Sequence, residues 1–296
     1  TMLAAGLGIR DAVETIAATL PICAERKTAF STFTIIRIVG NEHADIIQYE
    51  NPNIVLLRNG VHYEFPMSTM HIGEKTIYRS SIELAEGDVF IAMSDGVLYA
   101  SEDGVLNNNW SRAKLIEFVE PLVAANFTAK VLASNILDET DKLYGGKPFD
   151  DATVCVLKII KREPLNIAIG PPAHKNDERR MMSLFFAKEG QHVVCGGTTS
   201  KIAADYLGEK VEVSAFSPDP DIPPISTIKG IDLATEGIIT LDKVLIYAKD
   251  YLADNKSFEQ WNYKKDGASL AARKLFEEAT DINMFIGRAE NPAHQD

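Results

Sequence analysis

The sequence is poor in cysteine and in basic charge, and it has no long apolar run. Its 296 residues include only three cysteines, Cys23, Cys155 and Cys195, odd in number and far apart. That argues against a disulfide framework or a cysteine-based zinc site and points to a reducing cytoplasm. No stretch approaches the roughly 18 to 20 apolar residues that span a bilayer, and no charged segment followed by an apolar one marks a secretory leader. Lys and Arg number 30 against 42 Asp and Glu, a net charge of −12. Residues 1–161 carry 14 basic and 21 acidic side chains, net −7, which leaves −5 for the rest. Neither half has the basic footprint of a nucleic-acid binder. These absences predict a cytoplasmic protein whose partners include neither membrane nor nucleic acid. They are silent on oligomeric state.

Apolar residues make up 46% of the chain, enough for substantial cores, and the length suggests two domains. The most informative stretch is Gly87-Asp-Val-Phe-Ile-Ala-Met-Ser-Asp-Gly-Val97. Val89 to Met93 is a short continuous apolar run, the pattern of a strand covered on both faces. It ends in Ser94-Asp95-Gly96, so a carboxylate stands at the tip of a buried strand. Such a group needs a partner or a cation. Gly96 permits a tight exit with backbone close by. A second stretch, Pro148-Phe-Asp-Asp-Ala-Thr-Val-Cys-Val-Leu157, puts Asp150 and Asp151 at the mouth of another strand. Adjacent like charges repel unless cations neutralise them, and hard oxygen donors suit Mg²⁺ or Mn²⁺ better than zinc. Taken singly, each stretch also reads as an ordinary turn with solvated Asp residues.

In this order and spacing the two stretches resemble the metal-dependent PPM (type 2C) protein phosphatases, in the branch typified by SpoIIE. The segment from Tyr49 to Gly60 is similar to that branch's central hairpin. The resemblance covers roughly residues 1–160. It implies an α+β fold, with two antiparallel sheets packed together and helices outside. It also implies hydrolysis of phosphoserine and phosphothreonine on a phosphoprotein substrate in bacterial signalling, through two Mn²⁺ or Mg²⁺ ions. Asp95 and Asp150 would each bind a cation, with Gly96 close by and Asp151 supporting the metal shell. No Cys-x5-Arg loop offers a cysteine nucleophile instead. In one respect the sequence departs from the family, which supplies a bridging Asp, in an Asp-Gly, from a strand before the first helix. Here the Asp-Gly pairs are Asp95-Gly96, Asp103-Gly104 and Asp266-Gly267. The expectation is an N-terminally truncated phosphatase domain lacking its first strands. The alternative is a catalytically inactive, phosphatase-like binding module that senses a partner or a small anion.

Along the first half, Ile9, Val13, Ile16 and Leu20 share a helical face that Pro21 ends. Strands are expected over 32–39, 44–49, 54–58 and 61–65, the last two joined by Asn59-Gly60. Lone His62 and His71 read as filler. Asp103-Gly104 and Asn107–Asn109 mark a turn and a loop. Helices follow over 111–125 and 128–144.

Residues 162–176, rich in proline, read as a linker or crossing loop between residues 1–161 and a second domain over 162–296. There the predicted order is helix 177–189 ended by Gly190, strand 191–195, helix 199–207 ended by Gly208 and strand 211–215. Strand 231–234, helix 240–253 capped by Thr240, helix 268–279 and strand 282–286 follow. The helix over 240–253 is expected to bury Leu241, Val244, Leu245, Ala248 and Leu252. Alternating helices and strands predict a smaller α/β domain with a mainly parallel sheet. Polar residues gather where strands end: Gly196, Gly197, Thr198 and Thr199, then Asp232 and Glu236, then Arg288 and Asn291. A Gly-Gly-Thr-Thr turn opening a helix offers free N–H groups to an anion, although no Lys follows at P-loop spacing. The expected ligand is small, anionic and hydroxyl-bearing, with Arg288 in reach. Ordinary turn glycines and threonine caps are the plainer reading.

Overall fold

The computed structural model describes residues 8–19, 32–73, 75–101, 110–253 and 255–289. The expected features at Leu20, Pro21, Cys23, Asp103-Gly104, Asn107–Asn109 and Asn291 lie outside the described residues. The chain divides into two compact units, Thr1–Lys161 and Arg162–Asp296.

The first unit is built on two antiparallel sheets. Helix α1 (Ile9–Thr19) precedes strands β1 (Phe33–Val39), β2 (His43–Tyr49), β3 (Val55–Arg58), β4 (Val61–His62), β5 (Ser68–Ile72), β6 (Lys75–Glu83) and β7 (Val89–Met93). A single helical turn, α2 (Asp95–Leu98), leads to α3 (Arg112–Ala124), α4 (Ala129–Leu143) and β8 (Val154–Lys158). The sheets run β1-β2-β6-β5 and β4-β3-β7-β8.

Residue alternation explains the layers. In β3 and β7, Val55, Leu57, Val89, Ile91 and Met93 turn toward α3 and α4, where they meet Leu115, Val119, Leu132 and Ile136. The intervening Leu56, Phe90 and Ala92 face the other sheet and meet Ala44, Ile46 and Ile82. Val13 of α1 lies with Ile47, Tyr49 and Ile77 on that sheet's far side. Helix, sheet, sheet and helices thus stack as the resemblance implies.

Asn59 and Gly60 both take positive φ, 54° and 78°, as a tight hairpin requires. The returning strand β4 is only two residues long, shorter than the expected 61–65. Ser111 and Thr128 cap α3 and α4 through their side-chain oxygens.

The second unit contains β9 (Pro164–Ile169), α5 (Glu178–Phe186), β10 (Gln191–Cys195), α6 (Gly197–Leu207), β11 (Glu212–Val213), β12 (Ser226–Thr227) and β13 (Leu233–Thr235). They are followed by α7 (Ile238–Leu252), α8 (Phe258–Asn262), α9 (Gly267–Arg273, prolonged by a π-helical turn) and β14 (Asp281–Ile286). One sheet runs β11-β12-β13-β10-β9-β14. Its β13, β10, β9 and β14 are mutually parallel, and the short β11 and β12 join antiparallel.

Five expectations are corrected here. Residues 164–169 form an inner strand and not a linker. Pro164 occupies the strand's first position, where proline is tolerated. Asn166, buried among apolar neighbours, is satisfied by the carbonyls of Glu189 and Gln191 and by the Asn283 amide. Gly190 does not end α5. It opens β10 at φ 103°, where a β-carbon would collide with the Pro164 carbonyl.

The segment 211–215 contains only the two-residue β11. Helix α7 starts after Gly237, so Thr240 lies inside it. Its buried face is Thr240, Val244 and Tyr247, while Leu245 and Leu252 are 52% and 81% exposed. Val244 and Tyr247 are drawn in by the aromatic core around Trp261. Among the described residues, no helix is long and apolar enough to cross a membrane.

Candidate active site

The end of β7 and the start of β8 meet through a short polar lock. The Ser94 hydroxyl donates to the Asp151 carbonyl at 3.0 Å and accepts from the Thr153 N–H at 2.9 Å. The Ser94 N–H donates to the Thr153 carbonyl at 3.0 Å. Directly after it, the backbone of Gly96 lies against Asp151: a β-carbon there would stand 2.6 Å from the Asp151 oxygen. The glycine is therefore required by close approach. The turn that carries Asp95 and Gly96 thus meets the segment that carries Asp150 and Asp151 where β7 ends and β8 begins.

Asp95 opens the single turn α2, where its Oδ1 accepts the Gly96 N–H at 3.1 Å. Asp150 Oδ1 likewise accepts the Asp151 N–H at 2.9 Å. The carboxylates of Asp95, Asp150 and Asp151 are all exposed. Tyr144, buried at the end of α4, donates its hydroxyl to the Gly96 carbonyl at 2.7 Å. Burial pushes the Tyr144 hydroxyl above its ordinary pKa, and the negative charges of Asp150 and Asp95 push it further. Both carboxylates thus lie within electrostatic reach of one phenol. Hard oxygen donors of this kind fit Mg²⁺ or Mn²⁺. Among the described residues, no group of three or more His, Cys, Asp or Glu side chains is placed to hold a metal. Two residues of this edge escape a reading of the sequence. Ser94 lies inside the motif itself, but nothing local singles out Tyr144, 48 residues from Gly96.

The second candidate cluster is partly assembled. Gly196, at φ 108°, follows β10, and its N–H donates to the Thr235 carbonyl of the neighbouring β13 at 3.0 Å. Gly197 and Thr198 are exposed in the first turn of α6, whereas Thr199 is buried. Glu236 stands immediately after β13, beside Gly196. Arg288 lies at the same sheet edge but beyond β14, and β9 intervenes between β14 and β10. Two strand spacings, roughly 9–10 Å, therefore separate it from the Gly196 turn.

Asp232 does not belong to this cluster. It precedes β13, and its carboxylate accepts the His192 N–H at 2.6 Å at the opposite, amino edge. The expected strand 231–234 in fact starts at Leu233, which leaves Asp232 capping the wrong end.

A helix–sheet–sheet–helix sandwich of two antiparallel sheets is the architecture of a PPM-type phosphatase domain. The chain belongs to the SpoIIE family, since the family model described as Stage II sporulation protein E matches residues 1–160, more than half of the chain. Solved structures that are similar include the Mn-presoaked phosphatase domain of the cell fate determinant SpoIIE from Bacillus subtilis. It is 20% identical over 55% of this chain and 72% of that one, with a TM-score of 0.39. The B. subtilis PP2C phosphatase domain with a fragment of the SpoIIE regulatory domain is 20% identical over 54% and 47%, with a TM-score of 0.41. The RsbU and RsbW domains of a Mycobacterium tuberculosis protein are 15% identical over 70% and 55%, with a TM-score of 0.41. No curated protein is a match.

Proposed function

We propose that the first unit hydrolyses phosphoserine or phosphothreonine on a protein substrate with the help of Mn²⁺ or Mg²⁺, as part of bacterial signalling. The observation that supports this reading is the contact of Gly96 with the Asp151 backbone, beside a Tyr144 hydroxyl that feels the charges of both Asp150 and Asp95. In this reading Asp95 and Asp150 hold the cations and Asp151 supports them from the neighbouring position. Bound divalent ions supply a nucleophile at neutral pH and neutralise charge on the transferred phosphoryl group. The chain's own groups orient the two carboxylates. Ser94 locks β7 to β8, Gly96 allows the strands' ends to touch, and Tyr144 fixes the Gly96 carbonyl from below. The few, scattered cysteines support a cytoplasmic setting.

A second reading, a binding module without turnover, draws on the absence of a three-residue metal cluster among the described residues. Hydrolysis of a phosphoserine peptide with and without Mn²⁺ separates the two. The phosphatase reading expects Mn²⁺-dependent phosphate release that Asp150→Asn abolishes. Binding of the peptide without release, at saturating Mn²⁺, would establish the module.

A further inference from the structure

The carboxyl edge of the second unit's sheet borders a cavity of about 710 Å³ that the phosphatase reading does not use. That volume falls in the range of about 300–1,000 Å³ common to small-molecule sites. Gly197, Ser200 and Lys201 reach it from the first turns of α6, and Glu236 reaches it from the end of β13. Val211, Val213, Pro223 and Pro224 supply apolar lining, and Asp205, Glu209 and Lys210 add charges of both signs.

Buried groups at this edge lack partners. Glu236 Oε2 is buried with no hydrogen-bond partner among the described residues. The same holds for the hydroxyl of Thr199, a residue only 1% exposed in the first turn of α6, and for that of fully buried Thr240 in the first turn of α7. Thr199 Oγ1 points back at the turn, 3.4 Å from where a Gly196 β-carbon would stand. The starts of α6 and α7 converge there, since a β-carbon on Gly237 would be 3.5 Å from the Gly196 α-carbon. Of the three, Glu236 lines the cavity; buried polar atoms are rarely left unpaired, so its Oε2 is open to a donor on a bound molecule.

The demands are specific. Free N–H groups at the start of α6, with Lys201 beside them, call for an anionic acceptor. The unpaired Glu236 oxygen calls for a hydroxyl or N–H donor. The Val and Pro walls call for a flat apolar body. Bare phosphate meets the first demand and conflicts with the acidic lining of Asp205, Glu209 and Glu236; a sugar phosphate leaves the Val and Pro lining uncovered.

We propose that this cavity binds a mononucleotide. Its phosphate sits on the α6 start and Lys201, its ribose hydroxyls donate to Glu236, and its base lies between Pro223-Pro224 and Val211/Val213. The arrangement, a glycine turn after one strand and an acidic residue at the end of the adjacent parallel strand, is how open α/β sheets hold phosphate and ribose together. Arg288, behind β9, is not part of the site.

The test is calorimetric titration of the full chain with AMP, GMP, CMP and UMP, with adenosine, ribose 5-phosphate and inorganic phosphate as controls. At least one nucleotide binds more tightly than about 1 mM, and at least about tenfold more tightly than any control. Lys201→Met and Glu236→Gln each weaken it by about tenfold or more. Lys201 is exposed, so its variant tests the site without disturbing the core. If Glu236→Gln does not fold, nucleotide-induced hydrogen-exchange protection at 197–210 and 223–236 takes its place. Absence of nucleotide binding, equal binding of inorganic phosphate, or an unaffected Lys201→Met variant without such protection would overturn the proposal.

Discussion

Gly96 and Asp151 touch through their backbones, so that any side chain on Gly96 would enter the space of the Asp151 carbonyl, 2.6 Å from its oxygen. The contact is what brings the loop after β7 and the loop before β8 into one site. Gly96→Ala must push these loops apart, because the obstacle is backbone and not the end of a flexible side chain. Overpacking of this kind costs about 1–3 kcal/mol. A displacement of about an ångström in a catalytic arrangement costs on the order of a hundredfold in rate. The variant is therefore expected to remain folded by circular dichroism and to lose most Mn²⁺-dependent phosphatase activity. Full turnover would show that the contact does not set the site.

Asp95→Asn separates the role of charge from that of shape. The amide keeps the side chain's volume at the start of α2 and removes the charge that draws a cation. Asp95 is exposed, so little stability depends on it. Activity should fall by at least about a hundredfold with an unfolding midpoint close to that of the unaltered protein. Turnover equal to that protein's at saturating Mn²⁺ would remove Asp95 from the proposed site.

Further from the site, Asp88 and Arg58 form a two-pronged ion pair. Arg58 Nε meets Asp88 Oδ1 at 2.8 Å and Nη2 meets Oδ2 at 2.7 Å. Asp88 is fully buried and also accepts the Ala85 N–H. Arg58 in turn donates to the Glu83 carbonyl and lies 4.7 Å over the Tyr63 ring. The Asp88 hydrogen bond, more than any other influence, holds the Arg58 guanidinium above its ordinary pKa. Removing one partner of a buried pair strands the other. Because Arg58 keeps some access to water, Asp88→Ala should cost about 2–4 kcal/mol, read as a lower midpoint in urea unfolding. An unchanged midpoint would mean that the pair contributes nothing net.

The first unit was largely legible because its signals are local. Asn59-Gly60 dictates a hairpin, and the apolar run ending in Ser94-Asp95-Gly96 dictates a buried strand with a carboxylate at its tip. Tyr144 was illegible because a tyrosine at a helix end has no local feature that tells of a distant carbonyl. In the second unit, prolines hid β9. Pro164 and Pro171-Pro172 bracket Leu165–Ile169, and their density reads as a loop although none lies in the strand interior. Helix α7 carries aliphatic residues on both faces, so its periodicity fits two stripes, and only the aromatic cluster around Trp261 selects Val244 and Tyr247. Asp232 fell on the wrong edge because β13 is only three residues long. In so short a strand, a one- or two-residue error in its ends moves a side chain across the sheet.

The two described cysteines should differ sharply in reactivity. Cys195 ends β10 with 1% exposure, whereas Cys155, on β8, is exposed. Burial pushes the Cys195 thiol above its ordinary pKa; the Thr235 hydroxyl draws it down by a smaller amount, and the Glu236 charge adds to the rise. Since the thiolate is the reactive form, both access and ionisation protect Cys195. Iodoacetamide at pH 8, read by peptide mass spectrometry, should label Cys155 in the folded protein and Cys195 only after denaturant. The same shift has a pH consequence. A thiol whose folded pKa lies above its unfolded value of about 8.5 contributes its full stability below that pH. The contribution is lost as pH rises toward the folded pKa. Unfolding midpoints should therefore fall as pH rises above about 8.5, less steeply in Cys195→Ala. Prompt labelling of Cys195 in the native protein would show that the end of β10 opens to solvent, contrary to the packing described.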